Sequence, residues 1–271
     1  MKIVKLKKRA FDTKARNKTK VNSSDIDGEI INCEAVLEYN DKPVAVYAKL
    51  DDDFLNDISW AVNSIKYVTD KRLGGLDTTS RIFGYAPRSP LRNDFCSITS
   101  MAKELPKQHY IVCSYAEKVA NLYEKYLPEL YDSHIKQVTE SVLPCWTIPN
   151  SPFTSGIINK NNQLGYHYDT GNFKNVASNM ISLKKSCKGG ELILPEYNIG
   201  LECANGFISM FDGQSLFHGV SPFELGYKGY RYTLVYYALK AMAKCGTTTE
   251  EIDGFRKRRI NIERKRARGE L

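Results

Sequence analysis

The sequence predicts a mainly β domain with flanking helices, an α+β arrangement with a sandwich or jelly-roll core. Three features carry this. From about residue 153, short β-type runs follow one another: "TSGIIN", "LGYHYD", "SNMISL", "ELILP", "NIGLE", "FISMFD", "LFHGV" and "YRYTLVYYAL". Turn signals at Gly189-Gly190, Asn205-Gly206 and Asp212-Gly213 separate them, a texture that suits antiparallel sheets rather than βαβ units. Upstream, apolar residues recur at helical spacing, and ahead of those lies a hairpin signal.

Taken in order, "INCEAVLEYNDKPVAVYAKL" reads as a β-hairpin turning at Asn40-Asp41. In "DDDFLNDISWAVNSIKYV", leading acids and apolar Phe54, Leu55, Ile58, Val62 and Ile65 predict a helix. "SRIFGYAPRSPLRNDFC", rich in Pro and Gly and holding Arg81, Arg88 and Arg92, reads as an ordered loop. Ile111, Tyr115, Val119, Leu122 and Tyr126 predict a helix over 109–127, and a third occupies 128–140.

The 271 residues, 42% hydrophobic and 26% charged, suit one large globular domain. No apolar run approaches the roughly 18 residues of a membrane span. "MKIVKLKKRA" lacks the apolar region of a secretory signal, so a cytoplasmic, non-secreted protein is expected. The seven cysteines are scattered and never form C-x-x-C. Reduced thiols, with neither a disulfide framework nor a structural zinc, are therefore the expectation.

The net charge of +8 is unevenly placed. Residues 1–20 and 256–271 together hold 17 basic and three acidic residues, which leaves an acidic body. The division expected is a basic N-terminal arm (1–20), a single domain (21–255, core about 153–240) and a basic C-terminal tail (256–271). Such arms suit phosphate neutralisation; solvated tails are the plainer alternative, and "RKRR" at 256–259 reads equally as a nuclear address in a eukaryote.

The chemistry-bearing stretch is "NQLGYHYDTGNFKN". On an extended chain, residues i and i+2 share a face, so His167 and Asp169 can offer an imidazole and a carboxylate to one point. His218 in "LFHGV" would complete a two-histidine, one-carboxylate facial triad, the donor set of non-heme Fe(II) oxygenases. Arg231 and Thr233 are again i and i+2, a guanidinium and a hydroxyl suited to the distal carboxylate of a small acid. A structural His–Asp contact is the competing explanation of H-x-D alone. His109 and His134 fall in helical segments and read as packing or surface residues.

With "HYDTGN", "GGELILPEY", "FDGQSLFHGVSP" and "YRYTLVYYAL" in this order, the sequence resembles the 2-oxoglutarate/Fe(II)-dependent dioxygenases. More narrowly, it resembles the TET/JBP group that oxidises the 5-methyl of pyrimidines in DNA, especially compact phage and bacterial-type members. The resemblance implies a double-stranded β-helix and an oxidoreductase using Fe(II), 2-oxoglutarate and O₂. It implies that His167, Asp169 and His218 bind iron and that Arg231, assisted by Thr233, pairs with 2-oxoglutarate. Asn172 would help to hold a flipped 5-methylpyrimidine, thymine or 5-methylcytosine, or else close an Asx-type turn. The cysteine-rich region of animal members is missing, which leaves the basic ends and Arg81, Arg88 and Arg92 for substrate engagement, one of these arginines also suiting the proximal carboxylate of 2-oxoglutarate. Tyr166, Tyr168 and Phe173 are candidates to stack on the base. Two other functions compete: a hydroxylase of a protein side chain or small metabolite, and a non-catalytic jelly-roll nucleic-acid-binding module.

Overall fold

A computed structural model of the chain describes residues 1–22, 24–71, 77–88 and 95–270. Among them the strands are β1 Lys2–Lys5, β2 Ile30–Ile31, β3 Ala35–Tyr39, β4 Lys42–Lys49, β5 Val68–Lys71, β6 Asp77–Ala86, β7 Ser97–Ile98, β8 Ser155–Lys160, β9 Ser178–Gly189, β10 Leu192–Leu194, β11 Ile199–Leu201, β12 Phe207–Phe211, β13 Gly219–Val220 and β14 Phe223–Tyr237. The helices are α1 Thr13–Arg16, α2 Asp52–Asn63, α3 Ser100–Glu104, α4 Pro106–Ser114, α5 Ala116–Tyr126, α6 Pro128–Ser141 and α7 Thr248–Ala267.

One sheet runs β1-β3-β4-β12-β9-β14-β8-β6-β5, with β7 on β6; a second runs β13-β10-β11-β2. Strand alternation decides what each face of the large sheet does. Tyr232, Leu234 and Tyr236 of β14 pack with Ile158, Ile181 and Met210 against Ile58, Val62, Val119 and Tyr123 of the helices. The intervening Arg231, Thr233, Val235 and Tyr237 line a cavity together with Leu192 and Val220 of the second sheet. This is the expected jelly-roll, its helical layer on the outer face and its site on the inner one.

The hairpin forms as the sequence predicts. Asn40 and Asp41 both take left-handed φ, 52° and 59°, the backbone that a two-residue I′ turn demands. The helix anticipated over 109–127 is divided, α4 ending at Ser114 and α5 beginning at Ala116. Leu105 and Leu127, each before a proline, leave helical space at φ −136° and −135° and set the starts of α4 and α6.

Three expectations change. The segment read as a loop holds strand β6, which pairs with β8; Gly84 at φ +76° lets it pass close to Thr154. The N-terminal residues do not form an arm. β1 pairs in parallel with β3, and Lys2, Lys5, Lys8, Arg9 and Arg16 are ion-paired to Glu29, Glu38, Glu196, Asp27 and Asp25. Finally, Cys96 and Cys245 form a disulfide across a separation of 149 residues, a distance at which spacing carries no signal. Both lie buried beside Val138, Trp146, Phe173 and Met242. No helix among the described residues is long and apolar enough to cross a membrane.

Candidate metal centre

His167 lies between β8 and β9 and His218 just before β13. An isolated antiparallel bridge joins them, and Asp169 extends it by donating its N–H to the Gly213 carbonyl at 2.8 Å. The pairing places three ligand atoms within 4.8 Å of one another. The Oδ1 atom of Asp169 is 3.7 Å from His167 Nε2 and 3.9 Å from His218 Nε2. A cation about 2.1 Å from each ligand atom would hold them roughly 3 to 4 Å apart, so the spacing fits a facial triad.

Backbone carbonyls select the tautomers. His167 Nδ1 is 2.9 Å from the Gly165 oxygen and His218 Nδ1 is 2.8 Å from that of Leu216. Each Nδ1 therefore carries the proton and donates, and each Nε2 lone pair faces the carboxylate, the arrangement a metal requires. Burial, reinforced by the neighbouring His167, lowers the His218 pKa to about 4, so its ring is neutral at pH 7.

Asp169 is oriented from behind. Ser178 Oγ donates to its Oδ2 at 2.9 Å and accepts from Asn172 Nδ2 at 3.2 Å, because an ionised carboxylate can only accept. Asn172 thus borders the cavity while its amide nitrogen holds this relay, and Gln214 Nε2 donates to its backbone oxygen.

The roughly 310 Å³ cavity that the triad lines also holds a site built for an anion. Arg231 is 2% exposed; its Nε donates to the Gly190 carbonyl at 2.9 Å, while Nη2 is buried with no partner among the described residues. A backbone-anchored chain leads to Thr233. Thr79 N–H donates to Asn162 Oδ1 at 2.8 Å, Asn162 Nδ2 to Asn159 Oδ1 at 3.1 Å, and Asn159 Nδ2 to Thr233 Oγ1 at 3.3 Å. The Thr233 hydroxyl, having accepted, keeps its proton to donate. An orphaned guanidinium nitrogen beside a free hydroxyl donor suits the distal carboxylate of 2-oxoglutarate, and the site fits both metal and co-substrate.

Arg81 and Arg88 do not line this cavity. Arg81 pairs with Glu104 and the Lys66 carbonyl, and Arg88 with Glu251; Arg92 lies outside the described residues. Of the aromatic candidates, Tyr166 is buried against Phe217 and Phe173 is buried beside the disulfide. Tyr168 alone borders the cavity, its hydroxyl 3.3 Å from Glu196. His109 accepts from the Gly84 N–H at 3.0 Å and His134 is fully buried, so both are packing residues. Asn159, Asn162 and Ser178 escape sequence reasoning, their only trace being polar side chains on or just past the strands that line the cavity.

The jelly-roll and this site define a 2-oxoglutarate/Fe(II) oxygenase. The chain belongs to the Tet_JBP family, the oxygenase domain of the 2OGFeDO superfamily, whose model matches residues 88–240. Enzymes of this superfamily use Fe(II), 2-oxoglutarate and O₂. Among solved structures, NgTET1 in complex with 5mC DNA is similar in fold, with a TM-score of 0.61 at 14% identity over 88% of this chain and 89% of that one. A 2OG-Fe(II) oxygenase family oxidoreductase from Burkholderia pseudomallei has a TM-score of 0.50 at 13% identity over 72% of this chain and 85% of that one. No curated protein matches the sequence.

Proposed function

We propose that this oxygenase hydroxylates the 5-methyl group of a pyrimidine, thymine or 5-methylcytosine, in DNA. The observation that supports the reading most is a single cavity lined by the triad, by Arg231 and Thr233 within β14, and by Leu239 past the end of that strand with its bridge partner Asn172 and with Tyr168. Arg231 and Thr233 suit the co-substrate and leave the lining around Tyr168, Asn172 and Leu239 for the group to be oxidised. The substrate class follows the family and the likeness in fold to a protein whose structure contains 5mC DNA.

In this reading His167, Asp169 and His218 hold the iron and supply its three protein ligands. Fe(II) with 2-oxoglutarate and O₂ provides the oxidising chemistry, in which a C–H bond becomes C–OH while 2-oxoglutarate is decarboxylated to succinate. Arg231 and Thr233 fix the distal carboxylate. Ser178 keeps Asp169 Oδ1 turned to the histidines by holding Oδ2. A methyl inside a duplex cannot reach a site set inside the roll, so the nucleotide must leave the stack, at a cost on the order of a few kcal/mol. Tyr168 offers a face and Asn172 a carbonyl oxygen for the extruded base.

The test is incubation with Fe(II), 2-oxoglutarate and DNA containing both methylpyrimidines, followed by mass spectrometry of the digested nucleosides. A hydroxymethylpyrimidine supports the reading and shows which base is attacked. Neither base changing, with other acceptors supporting succinate release, would assign the enzyme to protein or metabolite hydroxylation.

A further inference from the structure

The two basic ends of the chain have different fates. In the N-terminal segment, Lys2, Lys5, Lys8, Arg9 and Arg16 are paired with acids of the folded body. At the C-terminus the bases fall on α7, where Arg256, Arg266 and Arg268 meet only Asp253, Glu263 and Glu270 of the same segment. Lys257, Arg259, Arg264 and Lys265 are exposed, with no acidic partner among the described residues.

This helix is not held by an apolar stripe. A capping box at Thr247 and Glu250 starts it, and acids in its first turn with bases in its last complement the helix dipole. Of α7 only Glu251, Gly254, Arg258 and Ile262 are not fully exposed, Phe255 meets Phe95 at the surface, and every residue from Glu263 to Glu270 is exposed. A mostly polar helix whose last turns, from Glu263 on, are exposed throughout gains little from burial. Its length is about 30 Å at 1.5 Å per residue.

Its root is fixed, and the chain that leads to it starts from the wall of the cavity. Leu239 lines the cavity and is bridged to Asn172, and the next N–H, of Lys240, donates to Gly171 at 2.8 Å. The chain then passes through the 3₁₀ turn Lys240–Lys244 to Cys245, disulfide-bonded to Cys96, and into α7. Buried Glu251 gathers the Arg88 guanidinium and the backbone N–H groups of Cys96 and Gly246. Phe95 lies against Phe255 and beneath Arg258.

We infer that α7 is the duplex-binding element of this enzyme, a basic helix tied through Cys245 and the 3₁₀ turn to the cavity-lining Leu239, that tracks the phosphate backbone flanking the target nucleotide. This rests on the reading that DNA is the substrate, and it assigns that role to α7 rather than to the N-terminal segment. Charge complementarity carries it: clustered cations without acidic partners release counterions on meeting phosphate, and the fixed root relates the bound backbone to the cavity. Binding of this kind is independent of base sequence.

The test compares wild type, a variant combining Lys257→Gln, Arg259→Gln, Arg264→Gln and Lys265→Gln, and a control combining Lys2→Gln, Lys5→Gln and Lys8→Gln. Glutamine keeps helix propensity, and circular dichroism checks that the variants fold. Affinity for a methylated duplex is measured across a salt series, alongside 2-oxoglutarate consumption without DNA. The α7 variant should bind about tenfold or more weakly at moderate salt, with a slope of log affinity against log salt shallower by about 0.9 for each phosphate no longer neutralised. The control slope and the DNA-free consumption should match wild type. A wild-type slope in the α7 variant, with the enzyme still binding duplex, overturns the inference and leaves the DNA reading standing. Wild-type protein that binds no duplex at all overturns both.

Discussion

The backbone N–H of His167 donates to the carbonyl of His218 at 2.8 Å, and the His218 N–H returns the bond to His167 at 3.0 Å. Two side chains 51 positions apart in the sequence are thus held by one reciprocal backbone pair. Their ring centroids are 4.3 Å apart, with Asp169 Oδ1 within 4 Å of both Nε2 atoms. Metal geometry here is a property of the chain path, which makes it sensitive to backbone crowding.

Gly213 is the sharpest case. A Cβ built there would stand 2.2 Å from Asp169 Oδ2, so the carboxylate must shift if any side chain is present. Gly213→Ala is expected to weaken metal binding by at least about tenfold, the range of losses seen when the partners of metal ligands are disturbed. Titration with Mn(II) or Fe(II) under anaerobic conditions measures it; an unchanged affinity would show that Asp169 has room to relocate.

Arg231→Lys should raise the 2-oxoglutarate concentration needed for half-maximal succinate release by about 10- to 100-fold, because a point-charge ammonium cannot reproduce the guanidinium fork and a charged hydrogen bond contributes about 1.5–3 kcal/mol. The maximal rate at saturating co-substrate should fall less. An unchanged requirement would make Arg231 a purely structural residue bonded to Gly190.

The jelly-roll, the hairpin at Asn40-Asp41 and the candidate triad were legible because each depends on local pattern: alternation, turn residues, or donors at i and i+2. What stayed hidden depends on tertiary pairing. Asn159 and Asn162 matter only because Thr79 supplies a backbone N–H from another strand. Strand β6 was obscured because Gly84 and Pro87 read as loop signals, although Gly84 falls where the strand passes Thr154 and Pro87 follows its last residue. The basic N-terminus gave no sign that Glu29, Glu38 and Glu196 would neutralise it.

The Cys96–Cys245 bond closes a long loop and fastens the root of α7. Its reduction, or Cys96→Ser, should lower stability by about 2–5 kcal/mol, read as a fall in Tm relative to the oxidised protein. Equal melting with and without a dithiol reductant would mean that the surrounding cluster of Val138, Trp146 and Met242 holds the segment unaided.

His134 predicts an acid limb in the stability curve. Its ring lies against Tyr123 and Phe153, neither nitrogen has a partner among the described residues, and burial pushes its pKa down to about 3. The unfolded chain protonates this group near pH 6.5 and the folded one does not, so its stabilising contribution is complete above that pH and is lost as pH falls toward 3. Between about pH 6 and 4 wild type should lose about 1.4 kcal/mol per pH unit more than His134→Phe. Denaturant melts across this range check it, and parallel curves would contradict the assignment.

Oxidation of a DNA methyl group at the His167–Asp169–His218 site is tested most directly by counting both products of one reaction. Wild type, Fe(II), 2-oxoglutarate, O₂ and a methylpyrimidine duplex are combined, and succinate is quantified against hydroxymethylated nucleoside. Near-equal amounts of the two are expected at early times, before further oxidation, with neither product above background from His167→Ala, Asp169→Ala or His218→Ala. Succinate released without any change in the nucleosides, or turnover near the wild-type level in any of the three variants, would contradict this assignment.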